Sequence, residues 1–192
     1  WTKDSNENST TSDNDGKFTI KYANGNLVSI GGTDLDSQTL LDNLLITHKL
    51  TGHSEFKAVT PVTSVAAFMA DAANVNAALG IDPDIDIYNF DPVANKGDGG
   101  VNDYLYVLGI RLTVFALSLQ NAINEIESTT DTTEEYFKAL AEELEKEYTL
   151  TSSKVDITNT NFIWAVMDNI TAAKKLVYTD DMQDDYIKSG IF

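Results

Sequence analysis

The hydrophobic pattern of this chain changes at Thr60-Pro61. Before this point short segments alternate between apolar and polar residues, as strands do, and after it apolar residues recur every three or four positions, as helices require. Thr60 and Pro61 also mark a helix start, because a hydroxyl can cap the first turn and a proline there loses no hydrogen bond. The sequence therefore predicts an α+β chain in which a small antiparallel β module, residues 1–59, packs on an all-helical bundle module, residues 60–192.

Alternation and turn residues predict the strands of the first module. Residues 17–22 alternate and Asn24-Gly25 follows them. Because both turn residues tolerate positive φ, this pattern predicts a hairpin between residues 17–22 and 27–30. The other predicted elements of this module are a loop over 34–42 and strands over 45–50 and 56–59.

The part after Thr60 is predicted to contain five helices. Gly80 closes the second helix, and Thr132 with Glu135 forms a capping box at the start of the fourth. The third helix is apolar all round over its first half, which predicts a central helix that other elements cover on every side. The predicted helices span residues 60–69, 74–79, 101–126, 132–148 and 161–177, and a last short turn spans 181–188.

Four side chains depend on this arrangement. Leu108→Ala or Leu112→Ala is expected to cost about 2 to 5 kcal/mol through the cavity left in the core, and a substitution of Leu144, expected nearer to solvent, should cost less. Arg111, the only arginine, lies in the apolar third helix and predicts a buried ion pair with an acidic residue.

The charge of the chain limits its partners. It carries 30 acidic and 13 basic residues, a net charge of -17, which disfavours nucleic acid and anionic membrane surfaces and favours divalent cations. The apolar run 104–119 is shorter than the ~20 residues of a membrane span and contains Gly109 and Arg111, so membrane insertion is not predicted. The chain has no cysteine, which excludes disulfides, thiol catalysis and thiolate metal sites.

Oxygen-bearing side chains alternate near the start of the chain and predict a Ca²⁺ site. Ca²⁺ takes roughly six to eight oxygen ligands, and carboxylates and amides two residues apart can wrap around it. A polar terminus without a metal is the alternative, because the same residue types are common in turns and at chain ends. The predicted ligands are Asp4, Asn6, Asn8, Asp13 and Asp15.

A second acidic loop joins two helices. Its carboxylates repel one another at a cost of roughly 0.5 to 1 kcal/mol each unless a cation neutralises them, so this loop is a second candidate for Ca²⁺. Helix capping and turn formation are the alternative, favoured by Asp82-Pro83 and Asp91-Pro92. The candidate ligands here are Asp82, Asp84, Asp86 and Asp91.

No residue pattern predicts an enzyme. His48 and His53 lie five residues apart with no cysteine and no clear third ligand, which makes a poor zinc site, and the sequence has no G-x-S-x-G elbow. The glutamates of the fourth helix could supply an acid–base pair, but such residues are far more often the solvated face of an amphipathic helix. A secreted hydrolase is therefore only the third alternative for the function.

Several segments resemble a pair of modules found in very large, repetitive bacterial surface proteins and adhesins. In that family a β-sandwich of the carboxypeptidase-regulatory or prealbumin-like type carries a D-x-N-x-N loop and a T/S-D-x-D-G-x-F stretch, and a helical module follows. The similar segments of this chain are Asp4-Ser-Asn6-Glu-Asn8, residues 12–18, Gly31-Gly32-Thr33-Asp34, and residues 59–64, 77–81 and 90–94.

The resemblance implies Ca²⁺ on the first loop and a structural or adhesive role without enzymatic activity. We therefore expect a domain of an extracellular or cell-surface protein whose partners are neighbouring domains, copies of the same chain, or a cell-surface or polysaccharide ligand. In the family a strand precedes the D-x-N-x-N loop, and only residues 1–3 remain of it here. The β module is thus expected to have an open edge beside residues 17–22. Because the sequence begins at Trp1 without a Met or a signal sequence, the chain is expected to be a piece or a processed product.

The alternative function is a self-assembling extracellular filament or sheath subunit. In this arrangement a neighbouring chain donates the missing strand to the open edge.

Overall fold

The structure is a computed structural model of the chain, and it describes residues 8–21, 25–34, 38–42, 44–49, 57–94, 97, 99–127 and 132–174. The strands are β1 (Asn26–Ile30), β2 (Thr33–Asp34), β3 (Thr39–Leu40) and β4 (Leu45–Lys49). The helices are α1 (Pro61–Phe68), α2 (Val75–Leu79), α3 (Val101–Glu127), α4 (Glu134–Thr151) and α5 (Thr160–Lys174), with a 3-10 turn at Ala72–Asn74. The predicted α+β class is confirmed, although the described strands form two antiparallel pairs rather than a sandwich.

Helix α4 is the centre of the core. It packs against α1, α2, α3 and α5. Its side chains Tyr136, Phe137, Leu140 and Leu144 are completely buried. The expectation that Leu144 lies nearer to solvent is therefore wrong, because α4 rather than α3 occupies the middle of the helical module.

Helix α3 lies at the outside of this module and buries only one side. Its core-facing residues recur at three- and four-residue spacing and are Leu105, Leu108, Leu112, Ala116, Leu119 and Ile123. On the opposite side Val107, Ile110 and Val114 are 42, 46 and 56% exposed. The apolar pattern predicted cover on every side, and this prediction is wrong for the part of the chain that the structure describes.

Strand β1 pairs with β4 in antiparallel register, so that Leu27 lies opposite His48 and Ile30 opposite Leu45. The predicted hairpin between residues 17–22 and β1 is wrong, since residues 17–21 contain no strand and residues 22–24 lie outside the described ranges. Alternation is a local signal, whereas β4 offers β1 a partner that also packs Ile46 against the core.

Two smaller strand predictions also differ from the structure. Residues 57–59 contain no strand, and residue 56 lies outside the described ranges. The predicted loop over 34–42 begins at the end of β2 and contains β3, a two-residue strand that pairs with β2 in antiparallel register.

Hydroxyl groups of α1 close the outer edge of β4. The Thr47 N–H donates to Ser64 Oγ at 2.8 Å, and Thr63 Oγ1 lies 3.0 Å from the Thr47 carbonyl oxygen. Neighbouring residues of an antiparallel strand point their peptide groups to opposite edges, so Thr47 faces α1 while its neighbours bond to β1. Strand β4 is thus held between β1 and α1, and β1 is the outer strand of the pair.

The helix ends follow local sequence signals with one exception. The Thr60 hydroxyl accepts the Thr63 N–H at 3.2 Å and the Thr63 hydroxyl accepts the Thr60 N–H at 2.9 Å, which confirms the predicted start of α1. Gly80 ends α2 with a φ of +70°, as predicted. Helix α4 begins at Glu134, and the residue before it, Thr133 rather than the predicted Thr132, makes no side-chain cap bond.

Candidate functional site

The N-terminal acidic loop lies partly outside the described residues. Asp4 and Asn6 are not among them, and the structure describes Asn8, Asp13 and Asp15, all exposed. The side-chain amide of Asn8 donates to the Lys21 carbonyl at 3.4 Å, which ties the start of the loop to the residues after it.

Asp13 closes a tight turn in this loop. Its Oδ1 accepts the N–H groups of Asp15 and Lys17, each at 2.9 Å, and its carbonyl accepts the Gly16 N–H at 3.0 Å. Gly16 takes a φ of +74°, a conformation that favours glycine. The turn uses one carboxylate oxygen of Asp13, and the Asp15 carboxylate lies 3.5 Å from Lys17 Nζ.

Three of the four candidate aspartates of the second acidic loop accept a hydrogen bond that closes a turn. Asp82, Asp86 and Asp91 each accept a backbone N–H two residues further on, at 2.9 to 3.0 Å. Turn formation is therefore enough to explain the spacing of these aspartates. It is the alternative to Ca²⁺ binding that the sequence left open. The side chain of Asp84, the fourth candidate, is exposed.

Within the described ranges no three His, Asp or Glu side chains are grouped closely enough to hold a metal ion. Asp4 and Asn6 lie outside these ranges, and Ca²⁺ also binds amide and peptide oxygens. Ca²⁺ at either loop therefore stays a prediction.

His48 lies buried where the strand pair meets the rest of the chain. Its Nδ1 donates to the Ala58 carbonyl at 2.6 Å, and its ring meets the Tyr88 ring edge-on with centroids 5.1 Å apart. Burial lowers the pKa of His48, against the opposite effect of the Ala58 hydrogen bond. The buried Nε2 has no hydrogen-bond partner among the described residues, so His48 is a neutral packing residue there. His53 lies outside the described ranges.

Two glutamates of α4 do not belong to a solvated face. Glu143 is buried and accepts a hydrogen bond from Lys146 Nζ at 2.7 Å. Glu145 reaches back to the turn after α1, where its two oxygens accept the N–H groups of Ala70 at 2.7 Å and Asp71 at 2.9 Å. The sequence predicted a solvated role for both, and this prediction is wrong. Glu145 meets the end of α1, and Glu143 lies beside α5.

The outward side of α3 carries large apolar residues that are exposed. We use the name α3 stripe for Val107, Ile110 and Val114, which stand one above the other at three- and four-residue spacing. Three neighbouring β-branched side chains with this exposure form a continuous apolar surface, which commonly marks an interaction site. No element within the described part of the chain covers it.

Arg111 stands beside the α3 stripe. The predicted buried ion pair is not formed, because Arg111 is exposed and makes no hydrogen bond or ion pair with the described residues. It is the only arginine of a chain with net charge -17. An exposed guanidinium next to an apolar stripe favours a partner that carries a carboxylate.

The same helix is long and apolar enough to cross a membrane by length and composition alone. The segment Val101–Glu125 contains a window of 18 residues with a mean hydropathy of 1.4, and 39% of this window is buried inside the molecule. The buried share belongs to the side that packs on α1 and α4.

A shallow depression of about 260 Å³ adjoins Arg111, between α3 and the loop that follows α4. Lys154 Nζ donates to Tyr104 Oη at 3.2 Å there, and Tyr104 Oη donates to the Leu79 carbonyl at 2.6 Å. Hydrogen bonds from the Thr158 hydroxyl and N–H hold the pKa of Asp156 below its ordinary value, and the nearby Lys154 and Arg111 act in the same direction. The cations of this depression thus partly balance a carboxylate within it.

Comparison with family models, with curated protein sequences and with solved structures finds no match to this chain.

Sequence reasoning missed the exposure of the α3 stripe, although the sequence holds a signal for it. A charged residue in an apolar helix marks the side that faces solvent, and Arg111 lies four residues from Val107 and three from Val114. Residues three and four positions from Arg111 lie on the same side of the helix as Arg111, so the sequence could have identified the stripe as exposed.

Proposed function

We propose that this chain is a non-catalytic structural and adhesive module of an extracellular bacterial surface protein. The observation that carries the proposal is the α3 stripe, an apolar surface that a module with neighbours would bury. The sequence resemblance to surface proteins and adhesins supports the same function, and it implies Ca²⁺ on the N-terminal loop as a stabilising ion.

The stripe favours attachment rather than catalysis. Exposed apolar residues in this number lower solubility, so a free-standing chain has a reason to replace them with polar ones. Their mutual spacing along one helix suits a partner that lies along α3, such as a helix of a neighbouring module. Arg111 beside them would then pair with an acidic group of that partner.

Beads coated with the chain would test this function in millimolar Ca²⁺. Two readouts are needed: clustering of the beads with one another, and their retention on bacterial cells under flow. The variant Ile110→Ser/Val114→Ser should lose adhesion. Leu150→Ser is the matched control, because Leu150 is 74% exposed on α4 and lies outside the stripe.

Unchanged adhesion by the stripe variant would show that another surface acts. If beads coated with the original chain neither cluster nor bind cells, the adhesive function itself is wrong. Circular dichroism of each variant would confirm that the substitutions leave the helices intact.

A second candidate function, a self-assembling filament subunit, is favoured by the outer edge of β1. Val28 lies opposite Thr47, whose peptide groups point to α1, so the Val28 peptide groups point away from β4. No other described strand pairs with β1. The predicted open edge therefore belongs to β1 rather than to residues 17–22, and a donated strand would add there.

Proline substitution distinguishes the two edges of β1. Val28→Pro removes an N–H that points away from β4 and should stop filament growth while the pair with β4 survives. Ser29→Pro removes an N–H that bonds to β4 and should disrupt the pair itself. Electron microscopy of both variants and the original chain, with and without Ca²⁺, would show whether filaments form and whether they need this edge.

A further inference from the structure

We propose that the α3 stripe pairs two copies of this chain, with the two α3 helices antiparallel and a two-fold axis passing at Val107. This inference rests on the proposed function and names the partner of the stripe. It is argued from the charges and the free space on either side of Val107.

The charges on this side of α3 are self-complementary. Asp103 lies four residues before Val107 and Arg111 four residues after it, so all three lie on neighbouring turns of one helix side. In an antiparallel pair centred on Val107, each Arg111 comes opposite the partner's Asp103. A two-fold interface makes this contact twice, and a parallel pair would not make it at all.

Both groups are available for that contact. Asp103 Oδ1 accepts the Gly97 N–H at 2.6 Å, which leaves its second oxygen for another donor. Arg111 lines the depression together with Asp156 and attracts that carboxylate, but it makes no hydrogen bond or ion pair with the described residues, and its guanidinium carries five N–H donors. Arginine and a carboxylate can form two parallel hydrogen bonds, which makes their contact directional.

The start of α3 has room for the partner's Val114. With the axis at Val107, residue 114 of one copy lies opposite residue 100 of the other. Gly99 and Gly100 stand there, both exposed, and a Cβ added to either would meet no atom within 4 Å beyond those of its two chain neighbours. A valine side chain from the second copy can occupy this open space, because neither glycine presents a side chain.

The net charge predicts how the pair responds to salt. Two copies that each carry -17 repel one another, and this repulsion acts over a Debye length of about 10 Å at 0.1 M salt and about 3 Å at 1 M. The contact itself is apolar at its centre, which salt does not weaken. Association should therefore become several-fold tighter between 0.1 M and 1 M salt, with the Arg111–Asp103 contacts setting the register more than the strength.

Cysteine cross-linking tests the pairing directly, because the chain has no cysteine of its own. In the variant Val107→Cys the two thiols meet at the two-fold axis. In the matched variant Val114→Cys they stand about 20 Å apart, since seven residues of helix rise about 10 Å on each side of the axis. Thiols so far apart cannot bridge, so Val107→Cys should oxidise to a dimer about tenfold faster than Val114→Cys, although Val114 is the more exposed.

Charge reversal tests the register. Arg111→Glu and Asp103→Lys should each slow the oxidation of Val107→Cys, and the two together should restore it, because the new pair has the same complementarity. Sedimentation equilibrium of the original chain at 0.1 M and 1 M salt measures the association itself.

Equal oxidation of the two cysteine variants, or a chain that stays monomeric at both salt concentrations, would overturn the pairing of copies. The proposed function has a separate outcome. Beads that bind cells through the stripe but do not cluster with one another would leave the adhesive function standing and refute only the second copy as partner.

Discussion

Where helices and strands of this protein meet, single polar side chains form hydrogen bonds with backbone N–H and C=O groups that have no partner in a helix or strand. The α1 hydroxyls of Thr63 and Ser64 serve the outer edge of β4, and Glu145 serves the turn that follows α1. An unpaired peptide group buried at such a place costs about 1 to 3 kcal/mol. These side chains therefore fix how the strand pair and α4 lie against α1. Substituting them should lower stability more than their exposure alone would suggest.

Acid should weaken the fold through His48. Burial holds the pKa of His48 below the value of 6.5 that the unfolded chain has. As the pH falls through 6.5 the unfolded state takes up a proton that the folded state does not, so stability is present above this pH and is lost below it. One such group changes the unfolding free energy by at most about 1.4 kcal/mol per pH unit.

The variant His48→Asn isolates this effect, because its amide can still donate to the Ala58 carbonyl but does not titrate. Urea unfolding of both proteins between pH 7.5 and pH 5.5 is the measurement. The original chain should lose more stability than the variant over this range, and parallel pH profiles would show that His48 carries no such penalty.

Glu145→Gln should destabilise the protein although the residue was expected to be solvated. The carboxylate accepts two peptide N–H groups, and the neutral amide of glutamine offers one oxygen to replace both. We expect a loss of about 1 to 2 kcal/mol, after allowance for the partial exposure of the site. Glu147→Gln on the same helix is the matched control, and a loss of equal size there would contradict this role of Glu145.

At the scale of the elements, the positions of the helices are more predictable than their environments. Helical spacing locates α3 within a residue at its end, but it cannot tell which neighbour will cover an all-round apolar surface. Helix α4 has fewer apolar residues and still occupies the centre, because its apolar residues other than Leu150 lie on the sides that α1, α3 and α5 cover. Which sides of a helix are buried depends on tertiary packing, and a local sequence pattern does not predict that packing.

The strands also show that a local sequence pattern does not determine which element becomes the partner. Residues 17–22 carry a good local hairpin signal, but β1 pairs with β4, which also packs on α1. A distant partner that buries apolar side chains can outweigh a turn that only brings two strands close. The turns formed by the aspartates of the second loop can be predicted from the sequence more easily. An Asp that accepts an N–H two residues further on needs no distant partner.

Leucine truncations measure which helix is central. Leu112 on α3 and Leu144 on α4 are both completely buried, so Leu112→Ala and Leu144→Ala should each cost about 2 to 5 kcal/mol through the cavity they leave. Leu150→Ala, at the exposed end of α4, should cost less than about 0.5 kcal/mol. Chemical unfolding checks all three, and a Leu144→Ala effect as small as that of Leu150→Ala would contradict the central position of α4.

At the scale of the whole molecule, the charge of -17 sets the conditions in which the chain can fold and associate. Like charges at this density oppose compaction, and a divalent cation bound to the folded state relieves part of the repulsion. Ca²⁺ is the ion that carboxylates and amides at alternating positions suit best. The sequence resemblance implies Ca²⁺ at the N-terminal loop and not at the second acidic loop. Removing the carboxylates of one loop at a time therefore tests which of the two binds the ion.

Ca²⁺ should raise the melting temperature through the N-terminal loop. A ligand that binds only the folded state adds about 2.7 kcal/mol at a hundredfold excess over its Kd, which for a chain of this size corresponds to a shift of roughly 5 to 10 °C. The variant Asp13→Asn/Asp15→Asn should abolish the shift. Asparagine keeps the oxygen that accepts the N–H groups of Asp15 and Lys17 in the described turn, so the substitution removes charge without removing the turn.

The matched control for this melt is Asp82→Asn/Asp84→Asn, which removes the same charge from the second loop and likewise preserves its Asp82 turn. If the N-terminal loop holds the ion, this control should keep the full shift in millimolar Ca²⁺ compared with chelator. A shift lost in both variants would mean that general charge relief stabilises the fold. Identical melting of the original chain with and without Ca²⁺ would remove the ion from the proposal and leave the α3 stripe as its support.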